Sequence, residues 1–279
     1  MEHESKEEVL ERIYSLHPWP DDLHSTEGRR RYEEAREIFS QLLDHPFLSE
    51  LPDNVRLLDL LSGRGIGGVA MAKVISAKKS VSLTLMDLRA NALKSAREFA
   101  LEELGSEPET VKGDALATHE LVRDVDVVLM YGLSLPHFDP WEAVILLASV
   151  GEALKDTGLL VVEAVDMRYN VFYLRGYKEV LPSFREDEVL LDLHKGYDIK
   201  RGIFRRALVS VRTGETVDLD VYFWGLAEFL ALMWLFFEEV DLVRGKGTYL
   251  LLARKPRRKI GPSELKLPSF LREGDHGAR

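Results

Sequence analysis

The stretch Val55-Arg56-Leu57-Leu58-Asp59-Leu60-Leu61-Ser62-Gly63-Arg64-Gly65-Ile66-Gly67-Gly68 constrains this chain more than any other. An apolar run ends in an acid, passes through a glycine turn and opens into a helix. A strand, a tight turn and a helix in that order leave backbone N–H groups and a carboxylate at the carboxyl edge of a parallel sheet. That edge is where α/β folds bind nucleotides.

The surrounding pattern supports such a sheet. Strand-like segments at 55–60, 81–86, 109–112, 125–131 and 159–165 alternate with helical segments at 67–75, 91–104 and 139–154. This alternation predicts an α/β fold with a doubly wound, mostly parallel sheet. Two amphipathic helices, 4–16 and 27–43, precede it. After it, 167–200 shows no clean period. The segments 203–211 and 216–223 flank Arg212-Thr213-Gly214-Glu215 and predict a hairpin. A helix over 226–238 and a final strand over 248–254 complete the chain. The expected organisation is an N-terminal helical cap (1–50), a core (51–166 and 225–259), an inserted β-hairpin lid over the substrate (167–224) and a flexible tail (260–279).

Composition narrows the chemistry. The 279 residues include no cysteine, which excludes disulfides, thiolate zinc sites and a cysteine nucleophile. The histidines lack ligand spacing, so no metal centre is expected. The most apolar stretch, 226–237, is too short to span a membrane and is interrupted by Glu228. The charged N-terminus lacks a signal core, and a cytoplasmic protein is expected. Only three Asn and one Gln accompany 30% charged residues, a usage resembling that of hyperthermophiles. A net charge of −10 disfavours non-specific binding to nucleic acid. The local exception, Arg254-Lys255-Pro256-Arg257-Arg258-Lys259, reads as a solvated tail after the last strand. A nucleic-acid contact is the sharper alternative.

Three further motifs follow the glycine turn in order. Leu83-Thr84-Leu85-Met86-Asp87-Leu88 puts an acid at the end of a strand, and Gly113-Asp114-Ala115 follows the next strand. The block from Asp126 through Tyr131-Gly132-Leu133-Ser134-Leu135-Pro136-His137-Phe138-Asp139 runs on to Ala153-Leu154-Lys155-Asp156-Thr157-Gly158. With Asp59-Leu60-Leu61-Ser62-Gly63-Arg64-Gly65, these resemble the class I S-adenosylmethionine-dependent methyltransferases of the small-molecule type, over roughly 55–165 and 225–255. The resemblance implies a seven-stranded Rossmann-like sheet, S-adenosylmethionine as cofactor, and methyl transfer to O or N of a small-molecule acceptor. It places Asp59, Leu61, Ser62, Gly63 and Gly65 in the cofactor loop. Asp87 would accept from the ribose hydroxyls and Leu88 would pack on adenine. Asp114 and Ala115 would address the adenine edge, and Tyr131 would lie beside the sulfonium.

Other readings stay open. Gly63-Arg64-Gly65-Ile66-Gly67-Gly68 also satisfies the dinucleotide dehydrogenase spacing. Leu61 stands where the family has a small residue; at positive φ a leucine is strained, and at negative φ it is not. Nucleic-acid methyltransferases often carry a bulky residue there. Against them, the turn Tyr131-Gly132-Leu133-Ser134 lacks the Pro-Pro-aromatic motif of the base amino-methyltransferases. A non-enzymatic member of the fold, its pocket spoiled by Leu61, is a third alternative.

Candidate bases are those expected on loops at the sheet's carboxyl edge. His137 comes first, with Glu163 and Asp166 behind it. Tyr14, Trp19, Tyr169, Tyr173, Tyr177 and Trp224 are expected to line the lid. Arg29-Arg30-Arg31-Tyr32 reads as a solvated helix face or a site for a carboxylate.

Overall fold

In the computed structural model, residues 4–16, 22–184 and 188–272 are described. Among the described residues, eleven strands build two sheets. The larger comprises β1 (Asn54–Leu60), β2 (Ser80–Asp87), β3 (Glu109–Lys112), β4 (Val125–Met130), β5 (Leu154–Ala164), β10 (Phe237–Arg244) and β11 (Tyr249–Pro256). Its order is β10-β11-β5-β4-β1-β2-β3. The five strands from β3 to β5 run parallel, while β11 and β10 are antiparallel additions at one edge. The expected seven-stranded, mostly parallel sheet is therefore present.

The helices are α1 (Lys6–Leu16), α2 (Thr26–Leu42), α3 (Pro46–Ser49), α4 (Ile66–Ile75), α5 (Ala90–Leu104), α6 (Thr118–Leu121), α7 (Pro140–Ala153), α8 (Leu226–Phe236) and α9 (Ser269–Arg272). One face of the large sheet packs on α2, α4 and α5, through Tyr32, Phe39, Leu42, Met71, Ile75 and Phe99. The other packs on α7 and α8, through Leu146, Leu147, Phe229 and Met233. Helix α4 is buried on nearly every side because it lies between the sheet and α2. Every residue of β4 is buried, which explains its strongly apolar sequence.

The hairpin read from the sequence is β8 (Ile203–Ser210) with β9 (Thr216–Val221). It continues into a four-stranded antiparallel sheet through β7 (Val189–Asp198) and β6 (Val180–Phe184). Helix α1 joins the two sheets. Its Ile13 packs against Leu208 and Val217 of the small sheet, and Arg12 donates to the Thr216 carbonyl on the β9 edge. Toward the large sheet, Lys112 Nζ lies 2.7 Å from Glu7 Oε2.

Two expectations about the C-terminal region need correction. The basic stretch is not a solvated tail. Arg254 pairs with Glu239 at 2.7 Å and Glu50 at 2.6 Å, and Lys255 with Glu239 at 2.5 Å. Arg257 donates to the Phe237 carbonyl. Arg258 donates to the Gly151 and Leu154 carbonyls and pairs with Asp156. Nor do residues 260–272 simply fray, for the Phe270 ring packs edge-on against Trp141 at 5.7 Å; the rest of the expected tail lies outside the described residues. Among the described residues, no helix is long and apolar enough to cross a membrane.

Candidate functional site

A cavity of about 950 Å3 opens at the carboxyl edge of β1, β2, β3 and β4. Its floor comprises the turns after those strands, and α1 and the small sheet wall the opposite side. The volume lies at the upper end of the roughly 300–1,000 Å3 usual for small-molecule sites.

The turn after β1 owes its shape to glycine and to one strained leucine. Leu61 has φ +62°, Gly63 +53° and Gly65 +85°. Leu61 thus adopts the strained alternative, at a cost of roughly 1–2 kcal/mol. Its side chain packs partly against the core around Leu58, Leu60 and Met86, and it borders the cavity without closing it. Gly63 N–H donates to Asp87 Oδ2 at 2.8 Å, and Ser62 N–H to the Met86 carbonyl at 3.0 Å, which ties this turn to the end of β2. The Ser62 hydroxyl is buried, has no partner among the described residues and belongs to the cavity wall.

Asp87 is nearly fully buried and already engaged. Oδ2 accepts from Gly63, while Oδ1 accepts from the Arg89 backbone at 2.9 Å and from its Nε at 3.3 Å. A carboxylate offers about four acceptor positions, so one remains for a ligand while Arg89 stays in place. Arg89 is the residue that the sequence reading missed. The residue is 6% exposed, and its guanidinium centre sits 4.0 Å from the Tyr14 ring centroid, a close cation–π contact. The only sequence signal was an arginine two residues beyond the acid. Leu88 joins the same wall, as do Asp114 and Ala115 after β3. Asp114 caps the next turn, accepting from Leu116 N–H at 3.0 Å, and its other oxygen lies 3.5 Å from Lys6.

Of the cofactor-loop residues, Asp59 and Gly65 do not border the cavity. Asp59 is 1% exposed and accepts from Gly68 N–H at 2.8 Å, anchoring the start of α4. Burial, then the neighbouring Asp87 charge, pushes its carboxyl up to about 7 against the opposing Gly68 hydrogen bond. Gly65 turns the chain against α5, where an added Cβ would meet Ala96 Cβ at 3.1 Å.

After β4, Tyr131 lies against α4 so closely that a Cβ on Gly67 would meet its own Cβ at 2.5 Å. Gly132 and Leu133 take positive φ, and Glu163 Oε2 accepts from Gly132 N–H at 2.9 Å. Glu163 is buried, is raised in pKa by burial and does not reach the cavity. It holds the loop rather than the ligand. Asp166 is likewise taken up, accepting from Tyr169 and Leu226 N–H groups.

His137 differs from both. It is ringed by enough protein that desolvation, followed by the Arg89 charge, lowers its pKa and keeps the imidazole neutral at pH 7. Yet more than a third of its surface is open, and it belongs to the cavity wall. Among the described residues no hydrogen-bond partner of the ring is found, which leaves its nitrogens available to a hydrogen bond from a ligand.

The expected aromatic lining is largely absent. Tyr14 borders the cavity, but Tyr169 and Tyr173 stack on each other outside it. Tyr177 bonds to His194 and Arg206, and Trp224 is buried. Trp19 lies outside the described residues. Of the arginine cluster, Arg31 borders the cavity near Gly132, whereas Arg29 pairs with Glu103 at 2.5 Å. Among the described residues no group of acids and histidines could hold a metal.

No protein-family model matches the sequence, and no curated protein matches it. Solved structures do. A S-adenosylmethionine-dependent methyltransferase from Clostridium acetobutylicum superposes with TM-score 0.60 at 14% identity, over 88% of this chain and 98% of that one. The sugar N-methyltransferase KedS8 from Streptoalloteichus gives 0.57 at 15%, over 92% and 96%. CalS10 from Micromonospora echinaspora, an amino pentose methyltransferase solved with S-adenosylmethionine bound, gives 0.52 at 16%, over 91% and 100%. The fold of this chain is the Rossmann-like methyltransferase fold.

Proposed function

We propose that this chain, which has the methyltransferase fold, is a S-adenosylmethionine-dependent enzyme that transfers a methyl group to O or N of a small-molecule acceptor. One observation carries the reading. A single cavity gathers Leu61, Ser62 and Gly63, Asp87 and Leu88, Asp114 and Ala115, Tyr131 and His137 from four successive strand ends.

The residues fit the cofactor. The partnerless Ser62 hydroxyl and the remaining acceptor position on Asp87 suit a ribose, and Leu88 offers an apolar face to adenine. Asp114 and Ala115 stand where the adenine edge would come. Arg31, beside Gly132, suits the methionine carboxylate. S-adenosylmethionine, when bound, supplies an activated methyl carbon with a good leaving group. The chain aligns the acceptor, excludes water beneath α1, and offers neutral His137 as proton acceptor where the acceptor atom carries a proton.

Two alternatives lose support. Four of the five cations of the basic stretch, Arg254, Lys255, Arg257 and Arg258, are engaged by acids and carbonyls of the chain itself, which leaves little for a phosphate backbone. Leu61 is strained but leaves the cavity open, which argues against a spoiled pocket. In a melting assay, S-adenosylhomocysteine should raise the Tm and NAD should not. A shift with NAD alone would move the reading to a dehydrogenase.

A further inference from the structure

The small sheet has apolar side chains on both faces. Cross-strand partners share a face, so the register sorts the side chains into rows. On one face Leu208 and Val217 share a row and are buried against Ile13 of α1. On the other, one row runs through Val180, Leu193, Ala207 and Asp218, the next through Pro182, Leu191, Val209 and Thr216, and Phe184 stands opposite Val189. From 180 to 184 on β6 and from 189 to 193 on β7, every side chain on this second face is apolar. Val180 is 53% exposed and Phe184 76%, and Val189, Leu191, Leu193 and Val209 are half-buried. Among the described residues, these six side chains join none of the buried cores.

We propose that two copies of this chain associate through this face, each laying its β6–β7 side on the other to form a two-layer sandwich of sheets. The proposal is independent of the methyltransferase reading. Packing sheet on sheet is how a sheet with apolar side chains on both faces removes both from water. The open edge of β6 offers no alternative. The Glu179 carbonyl accepts from His194 N–H at 2.7 Å, so the backbone groups of 179, 181 and 183 turn toward β7 and those of 180, 182 and 184 turn outward. Pro182 has no N–H to give, interrupts that outward row and blocks the addition of a strand. Charge selects the occupant. Beyond its apolar part the face carries two cations and two acids: Lys195 Nζ lies 2.6 Å from Asp218 Oδ1, and Arg205 stands opposite Asp220 in the β8–β9 ladder. The face is thus neutral on a chain of net charge −10 and is matched by a copy of itself. An anionic membrane would call for a surplus of cations instead. Contact across the four strands would bury on the order of 600 Å2 per copy, at the lower end of the roughly 600–1,000 Å2 per partner of a specific interface.

The test is sedimentation equilibrium of the full chain over roughly 1–100 μM, a range that brackets micromolar association. The wild type should sediment as a dimer, at twice the chain mass. Phe184→Asp and Val180→Lys each place a charge at an exposed position of the edge strand, so the fold should survive, with circular dichroism unchanged. Each should weaken association on the order of a hundredfold, as burying an unpaired charge does. Leu235→Lys removes a comparably exposed apolar side chain from α8 (61%) and should leave the dimer intact. A wild type that stays monomeric throughout the range overturns the proposal, as does a dimer that survives both charged substitutions or is lost with Leu235→Lys instead. The wild type is also floated with vesicles of phosphatidylserine and phosphatidylcholine, and no binding is expected. Flotation that Phe184→Asp abolishes would assign the face to lipid and overturn the proposal as well.

Discussion

The indole N–H of Trp224 donates to the Phe138 carbonyl at 3.0 Å. Two residues earlier, Tyr222 N–H donates to the Pro136 carbonyl, also at 3.0 Å. The carbonyls on either side of His137 are thus both held by the connection from β9 to α8. The small sheet does more than cover the cavity, since the chain leaving it fixes the turn that carries His137 to the cavity wall.

Trp224→Phe tests this clamp. Phenylalanine retains most of the ring but leaves the Phe138 carbonyl unpaired in a buried place. The loss should be about 1–3 kcal/mol in urea denaturation. A variant as stable as the wild type would show that the contact is incidental.

Leu61 allows a test of backbone strain. Leu61→Gly relieves roughly 1–2 kcal/mol of left-handed strain but gives up partial apolar burial and adds chain entropy of about 0.5–1 kcal/mol. Stability should therefore change little, and S-adenosylhomocysteine should still bind. Leu61→Val puts a β-branched residue at φ +62° and should cost stability clearly. Equal stability for the valine and glycine variants would contradict the strained conformation.

Much of this site was legible because strand, acid and glycine follow one another without interruption. The turns after β1, β2, β3 and β4 each carry punctuation, and the residues around Ser62, Asp87, Asp114 and His137 do meet in one cavity. What failed has physical causes. Asp59 and Glu163 sit at strand ends like the true wall residues, but Asp59 bonds the Gly68 N–H in the first turn of α4 and Glu163 the Gly132 N–H of the loop after β4, which no local pattern reveals. Strand β10 was hidden because α8 ends at Phe236 and extended chain begins at Phe237 with no glycine or proline between them. Strands β6 and β7 lack clean alternation, with Pro182 in one and an irregularity at Gly196 in the other.

Asp59 should impose a pH dependence on stability. Its carboxyl is raised from an ordinary 3.8 to about 7, so the folded state keeps a proton that the unfolded chain releases. Stability from this group is greatest at low pH, falls as pH rises from about 4 to about 7, and is flat above. Asp59→Asn should remove that slope. The check is the difference in urea midpoint between wild type and variant at pH 5 and pH 8. Parallel curves would mean that Asp59 is ionised throughout.

Arg258→Ala should destabilise the chain, because it abandons the Gly151 and Leu154 carbonyls. The expected loss is about 1–3 kcal/mol in denaturant titration. Fluorescence anisotropy with labelled RNA and DNA should show no tight, salt-dependent binding by the wild type. Tight binding that is lost in the variant would revive a nucleic-acid substrate.

The most direct test of the account is a calorimetric titration of S-adenosylhomocysteine into the wild type and into Asp87→Ala. The account predicts one site per chain in the wild type and loss of binding in the variant. Loss of one charge-assisted contact costs about 1.5–3 kcal/mol, and release of the Gly63 turn and Arg89 adds to it. No heat with the wild type, or equal affinity in the two proteins, would contradict it.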